Sequence, residues 1–210
     1  TGLLDFNLMR DLSSADAAAN YNFDSLYVPF RCLAADVEEK REVVFRNGHL
    51  ATAVRASMTY PFYLSPIRVD GRLLFDGGLY NNFPSNVMYH EFMPDIIIGS
   101  NVSNNEEPPE EDDILSQFKS MVMYETNFDA ICEQMIIIEP DLEIGTFDFA
   151  DVGEAIRAGY MQALVQMDTI LSATNRRISE EERIESRKQF RSRFKPMVFN
   201  NVTITGVEKT

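Results

Sequence analysis

Apolar and polar residues recur along this chain with two periods, and the switches between them divide it into strands and helices. "PFRCLAADV" (29 to 37) and "REVVF" (41 to 45) read as strands joined by the charged turn Glu38-Glu39-Lys40. Asn47-Gly48 breaks the pattern. Leu50, Val54 and Met58 then recur at four-residue spacing and predict a helix over 49 to 58, which Pro61 ends. "SPIRV" and "RLLF" flank Asp70-Gly71, a pair suited to the positive φ angles of a hairpin turn. A short helix is expected from about Pro84 to Phe92, with Val87, Met88 and Phe92 to one side.

The second half continues the alternation. "DIIIGS" (95 to 100) and "MIII" (135 to 138) are continuous apolar runs of the kind found in strands covered on both faces. Between them, "NVSNNEEPPEEDD" (101 to 113) reads as a surface loop, followed by a helix with Ile114, Phe118, Met121 and Val122 as its stripe. Residues 151 to 171 predict one long amphipathic helix whose core face is Val152, Ile156, Tyr160, Leu164, Met167 and Leu171. Ser179 and Glu182 form a capping box for a last helix, with acidic residues in its first turn and Arg187, Lys188, Arg191 and Arg193 in its last. Strands alternating with helices imply an α/β body with a mainly parallel sheet.

Size and charge narrow the function. The 210 residues, 45% hydrophobic, suit one domain, or a domain plus a fragment, and the net charge of -14 repels nucleic acid and anionic lipid at long range. Nucleic acid is therefore excluded as a partner. Cys32 and Cys132 each lie in a stretch that reads as buried, which makes inert thiols of both. His49 and His90 have no partner at metal-ligand spacing, so no metal or other cofactor is expected, and a serine-histidine-acid triad is hard to build. No apolar run approaches the length of a membrane span.

One stretch carries candidate chemistry. "LLFDGGLYNNFP" (73 to 84) sets Asp76 between an apolar run and two glycines, at a strand-to-helix junction where open parallel sheets bind ligands. Asp76 is either a turn residue or a base, and a carboxylate acts as base for a serine only with hydrogen-bond reach, partial desolvation and donors for the oxyanion. Gly77 and Gly78 would allow another loop or an acyl carbonyl to come close. A magnesium-dependent phosphoryl-transfer site would want a second acid where Gly78 stands.

The ordered series Ala56-Ser57, Pro61, Phe62, the strand 73 to 75, Asp76-Gly77-Gly78, Asn82 and Pro84 resembles the patatin-like phospholipases, serine lipid acyl hydrolases with a Ser/Asp dyad. The resemblance extends over roughly residues 1 to 172 and implies a patatin-like three-layer α/β fold with an incomplete N-terminal half. It assigns Asp76 as the dyad aspartate, Gly77 and Gly78 as its supporting loop, Ser57 as a loop-fixing residue, and Met58, Tyr60 and Phe62 with Tyr63 and Leu64 as an acyl-chain groove. The family's G-x-S-x-G elbow and oxyanion loop occur nowhere in the sequence. The expectation is thus the C-terminal portion of a catalytic domain (1 to 195), inactive alone, whose parent cleaves phospholipid or another acyl ester with transient membrane contact. "FKPMVFNNVTITGVEKT" resembles the first strand of a POTRA module, making 196 to 210 a terminal strand or the start of that module. In that case the parent lies in the periplasm or outer membrane, the cytoplasm being the alternative. A non-catalytic interaction module is the competing reading.

Overall fold

The computed structural model describes residues 2–103, 111–123, 126–127, 132, 134–142, 144, 148–174 and 176–194. The chain opens on helix α1 (Gly2–Ala18), an element that the hydrophobic pattern does not announce. Antiparallel strands β1 (Cys32–Asp36) and β2 (Arg41–Phe45) follow, then α2 (Leu50–Ser57) and the hairpin of β3 (Ile67–Val69) and β4 (Arg72–Asp76). The hairpin turn is as the sequence predicts: Asp70 and Gly71 take φ of 51° and 83°. A single 3₁₀ turn (Gly77–Leu79) leads toward α3 (Ser85–Phe92). Then come β5 (Ile96–Ser100), α4 (Ile114–Val122), β6 (Gln134–Ile138), α5 (Val152–Val165), α6 (Met167–Ala173) and α7 (Glu180–Ser192).

The α/β class holds, but the sheet is not mainly parallel. Four strands in the order β2-β1-β4-β3 pair antiparallel throughout, and β5 with β6 forms a separate parallel pair. Short charged turns after β1 and β3 return the chain at once, which fixes antiparallel neighbours, whereas α4 lies between β5 and β6.

The core follows from strand alternation. Cys32, Ala34 and Leu74 point to one face of the sheet and meet Leu50, Ala53 and Ala56 of α2. Asp36 is fully buried at the end of β1; its Oδ1 accepts from the backbone N–H groups of Glu38 and Glu39, both at 3.1 Å, which closes the turn into β2. On the outer side, α1 packs against α2 through one carboxylate. Asp16 is 3% exposed, and both of its oxygens accept from the N–H of Leu50 at 3.0 Å, so α1 caps the N-terminus of α2 where His49, the residue at that position, makes no side-chain cap.

Three further expectations are corrected. β5 is not covered on both faces, since Ile98 is 46% exposed. The helix over 151 to 171 is two helices, α5 and α6, broken at Gln166, and its stripe is open to solvent, with Ile156 68% and Tyr160 64% exposed. Likewise Ile114 and Met121 of α4 are exposed. At these positions the apolar side chains are exposed rather than packed in the core. The capping box of α7 forms as read, with Ser179 and Glu182 exchanging bonds of 3.0 and 3.1 Å. Residues 104 to 110, within the expected surface loop, and 195 to 210, with the POTRA-like stretch, lie outside the described residues.

Candidate active site

Asp76 is the last residue of β4, and its backbone is held from both sides. It pairs with Ala34 of β1, and its N–H donates to the Thr59 carbonyl at 2.9 Å. Thr59 follows α2 and is itself fully buried, so β4 ends against the C-terminal end of that helix. Because the surrounding sheet is antiparallel, the junction is not the crevice of an open parallel sheet that the sequence implied. It is a strand end roofed by the segment between α2 and β3.

The Asp76 side chain does two different things with its two oxygens. Oδ1 accepts from the N–H of Gly78 at 2.8 Å and caps the 3₁₀ turn. Oδ2 takes no hydrogen bond from a described residue. Half-burial raises the carboxyl above its ordinary range, and the Gly78 N–H offsets part of that rise. The turn reading and the base reading are therefore compatible, with one oxygen for each.

Close approach demands the first glycine and crowds the second. A Cβ on Gly77 would lie 2.5 Å from the carbonyl oxygen of Leu33, the backbone of β1. At Gly78 it would meet Asn82 Oδ1 at 2.7 Å and Asp76 Oδ1 at 3.2 Å. The Tyr80 and Asn81 N–H groups both donate to the Gly77 carbonyl, at 3.1 and 3.0 Å, and complete a tight loop.

The aromatic segment lies beside this loop. A cavity of about 370 Å³ is lined by Pro61, Phe62, Tyr63, Leu64 and Phe75, among others. Met58 and Tyr60, expected in the same groove, do not line it; nor does Asp76, whose neighbour Phe75 points there from the opposite face of β4. Phe62 is 69% exposed with a positive φ of 69°. Ser57 closes α2 and is half-buried.

Sequence reasoning missed the residue that organises this segment. Arg55 has its side chain 5% exposed and donates to Asp5 Oδ1 at 2.8 Å, Thr59 Oγ1 at 2.5 Å and the Ser65 carbonyl at 2.9 Å. An arginine on the apolar side of a helix was the available signal, since burial requires all of its donors to find acceptors. Behind the site, Glu91 of α3 binds Arg31 at 3.1 Å and also pairs with Arg46, and the Arg46 guanidinium holds its carboxyl below the usual range. Among the described residues no three of His, Cys, Asp and Glu cluster as metal ligands, and no helix is long and apolar enough to cross a membrane.

These features define a class: an α/β protein with a desolvated aspartate on a glycine turn at a strand end, beside an apolar hollow. Residues 5–89 match the family model of the patatin-like phospholipases. An uncharacterized NTE family protein of Mycobacterium tuberculosis is 28% identical over an alignment 163 residues long that covers 64% of this chain and 28% of that protein. The neuropathy target esterase sws of Drosophila melanogaster is 34% identical over 77 residues, 36% of this chain and 5% of its own length. A patatin-like phospholipase domain-containing protein of Caenorhabditis elegans is 39% identical over 67 residues, 31% of this chain and 5% of its own. Over residues 5–89 the chain is similar to the patatin-like family, and it spans under a third of the length of each of these relatives.

Proposed function

We propose that this chain supplies the aspartate of a Ser/Asp dyad to a lipid acyl hydrolase, a phospholipase A-like esterase. The observation that carries the reading is Asp76: one carboxylate oxygen is pinned by the Gly78 N–H and the other takes no bond from a described residue. Its raised affinity for protons favours taking one from a serine hydroxyl. The nucleophile and the oxyanion donors belong to a part of the parent protein outside these 210 residues, which hold no G-x-S-x-G elbow. In the reaction the serine oxygen attacks the ester carbonyl as Asp76 accepts its proton. The proton then passes to the leaving alcohol, and water attacks the acyl-serine with Asp76 again as base. The hollow beside Phe62 and Phe75 takes part of the acyl chain.

The test is the full-length parent assayed on a long-chain phospholipid and a long-chain ester. Asp76→Asn is expected to lower kcat by about 10²–10⁴-fold with the fold retained; unchanged turnover removes the reading. An assembly module is the second reading, favoured by the solvent-open stripe of Ile156, Tyr160 and Leu164 on α5. A full-length protein that lacks esterase activity and whose self-association is lost in Ile156→Glu would establish it. The phospholipid substrate, transient membrane contact, the periplasmic or outer-membrane setting and the POTRA-like reading of 196 to 210 belong to the same proposal. Fractionation of the parent's cells tests the setting.

A further inference from the structure

Asn81 and Asn82 follow the Asp76 turn side by side, yet they are anchored to different parts of the fold. The Asn81 amide donates to Glu42 Oε2 at 2.7 Å, on β2, and to Asn86 Oδ1 at 3.1 Å, on α3. Asn82 faces the other way. Its Nδ2 donates to Ser103 Oγ at 3.0 Å, and the Ser103 N–H and hydroxyl both donate to Asn101 Oδ1, at 3.0 and 3.2 Å. Asn101, only 4% exposed, donates through Nδ2 to Glu139 Oε1 at 2.5 Å and through its backbone N–H to the Ile138 carbonyl at 2.9 Å. A continuous polar chain thus runs from the C-terminal ends of the parallel pair β5 and β6 to the turn at the end of β4, two sheets that share no ladder.

At its near end this chain presses a carboxamide oxygen against the aspartate turn. The Asn82 oxygen and Asp76 Oδ1 lie 2.7 and 3.2 Å from the same point beside Gly78, hence no farther from one another than those two distances laid end to end. The Asn82 side chain, itself exposed, sets its carboxamide oxygen on that side of Gly78, close to the oxygen that Gly78 pins. We propose that Asn82 is a positioning residue for the Asp76 carboxylate, locked by the Ser103, Asn101 and Glu139 chain, so that the parallel pair sets where a carboxamide oxygen stands against the aspartate turn. The proposal deepens the acyl-hydrolase reading and rests on it only for its catalytic arm.

Three physical consequences separate this role from simple bracing. Removing the carboxamide takes away an oxygen whose partial negative charge lies close to the carboxylate, which lowers the affinity of Asp76 for protons toward that of an ordinary carboxylate. Replacing it with a carboxylate places a like charge within a few ångström and raises that affinity instead. Removing Ser103 Oγ frees the Asn82 amide and acts in the first direction, more weakly. A residue that merely held the loop would move all three variants the same way or not at all.

The experiment reads the Asp76 carboxyl directly, by carbon-13 NMR titration of this 210-residue chain in wild-type, Asn82→Ala, Asn82→Asp and Ser103→Ala forms, each checked for folding by circular dichroism. The expected midpoints fall for Asn82→Ala by about half a pH unit or more and rise for Asn82→Asp by a similar amount. Superimposable curves in folded Asn82→Ala or folded Ser103→Ala, or a shift of the same sign in the alanine and aspartate forms, overturn the proposal. Should Asn82→Ala fail to fold, the Asn82→Asp and Ser103→Ala curves decide it alone. In the full-length parent, the acid limb of kcat should follow the NMR midpoints while KM for the ester stays within about twofold. Undiminished turnover in Asp76→Asn would remove the hydrolase reading but leave the NMR result standing, so the two failures are distinct.

Discussion

The N–H of Asp76 donates to the Thr59 carbonyl at 2.9 Å, and the hydroxyl of the same Thr59 lies 2.5 Å from Arg55 Nη1. The end of β4 and the end of α2 are thereby joined through one buried residue. Arg55 extends the joint in two directions, to Asp5 of α1 and to the Ser65 carbonyl in the aromatic segment. The candidate base, the helix under the sheet and the wall of the hollow share a single fastening.

Arg55→Met should therefore cost more than a surface arginine would. It removes the charged donor from the Ser65 carbonyl and from the buried Thr59 hydroxyl, which keeps only its own bond to the Arg55 carbonyl, and hydrogen bonds to charged groups contribute about 1.5–3 kcal/mol each. Asp5 is half exposed and recovers its solvation, so its share is small. Urea denaturation should show a loss of about 2–4 kcal/mol; a loss below half a kcal/mol, typical of surface sites, would mean that the three bonds contribute nothing.

The share of stability carried by Asp16 and Asp76 should fall as pH rises from the ordinary carboxylate range. Burial raises both Asp16 and Asp76, against the smaller pull of the Leu50 N–H on the first and the Gly78 N–H on the second. Each carboxyl binds its proton more tightly in the folded than in the unfolded chain. The native state thus holds more protons at these two groups from the ordinary carboxylate range up to the raised folded values, and their stabilisation is lost as pH passes upward through that window. Asp16→Asn keeps an acceptor for the Leu50 N–H and should flatten this dependence, whereas Asp16→Ala loses the cap and about 1 kcal/mol. Chemical denaturation from pH 4 to 7 checks it. A wild-type curve rising as steeply as that of Asp16→Asn would show that neither carboxyl is raised.

Gly77→Ala should be among the most damaging single changes in the chain. The new methyl meets the backbone of Leu33 at 2.5 Å, and β1 is fixed by neighbours on both sides, so no flexible group can move away. Overpacking of this kind costs about 1–3 kcal/mol or more. Thermal melting should register it; a melting temperature within a degree of wild type would require β1 to shift freely.

The two cysteines should react unequally. Burial pushes the Cys32 thiol up to about 12, so almost none is thiolate at pH 8. Cys132, read from the sequence as buried, is only half-buried, with its Sγ 3.1 Å from the Gln134 carbonyl. A thiol reagent should label one cysteine of the native chain promptly and the second only on unfolding. Rapid labelling of Cys32, located by peptide mapping, would contradict its burial.

Short-range chemistry accounts for what was legible in the chain. The Asp70-Gly71 turn, the ends of α2 and α3, and the Ser179 cap of α7 each depend on residues a few positions apart, and all form as the pattern implies. α1 was not legible because its contribution is made at a distance: the polar Asp16 is buried beside the small Ala18, while Leu3, Phe6 and Met9 are exposed. A periodicity argument looks for the reverse. The break at Gln166 was equally hidden, since no proline or glycine marks it.

By itself the sequence determined the element types, the turn at Asp76 and the family series around it, because backbone φ preferences and side-chain period are local properties. Tertiary structure decided the rest. It made the larger sheet antiparallel, set Phe75 rather than Asp76 toward the hollow, fastened Thr59 to Asp76, and brought Asn82 to Ser103 across 21 positions of chain. Burial and hydrogen-bond partners depend on which distant segments meet, and neither a carboxylate's proton affinity nor its access to a hydroxyl exists until they do.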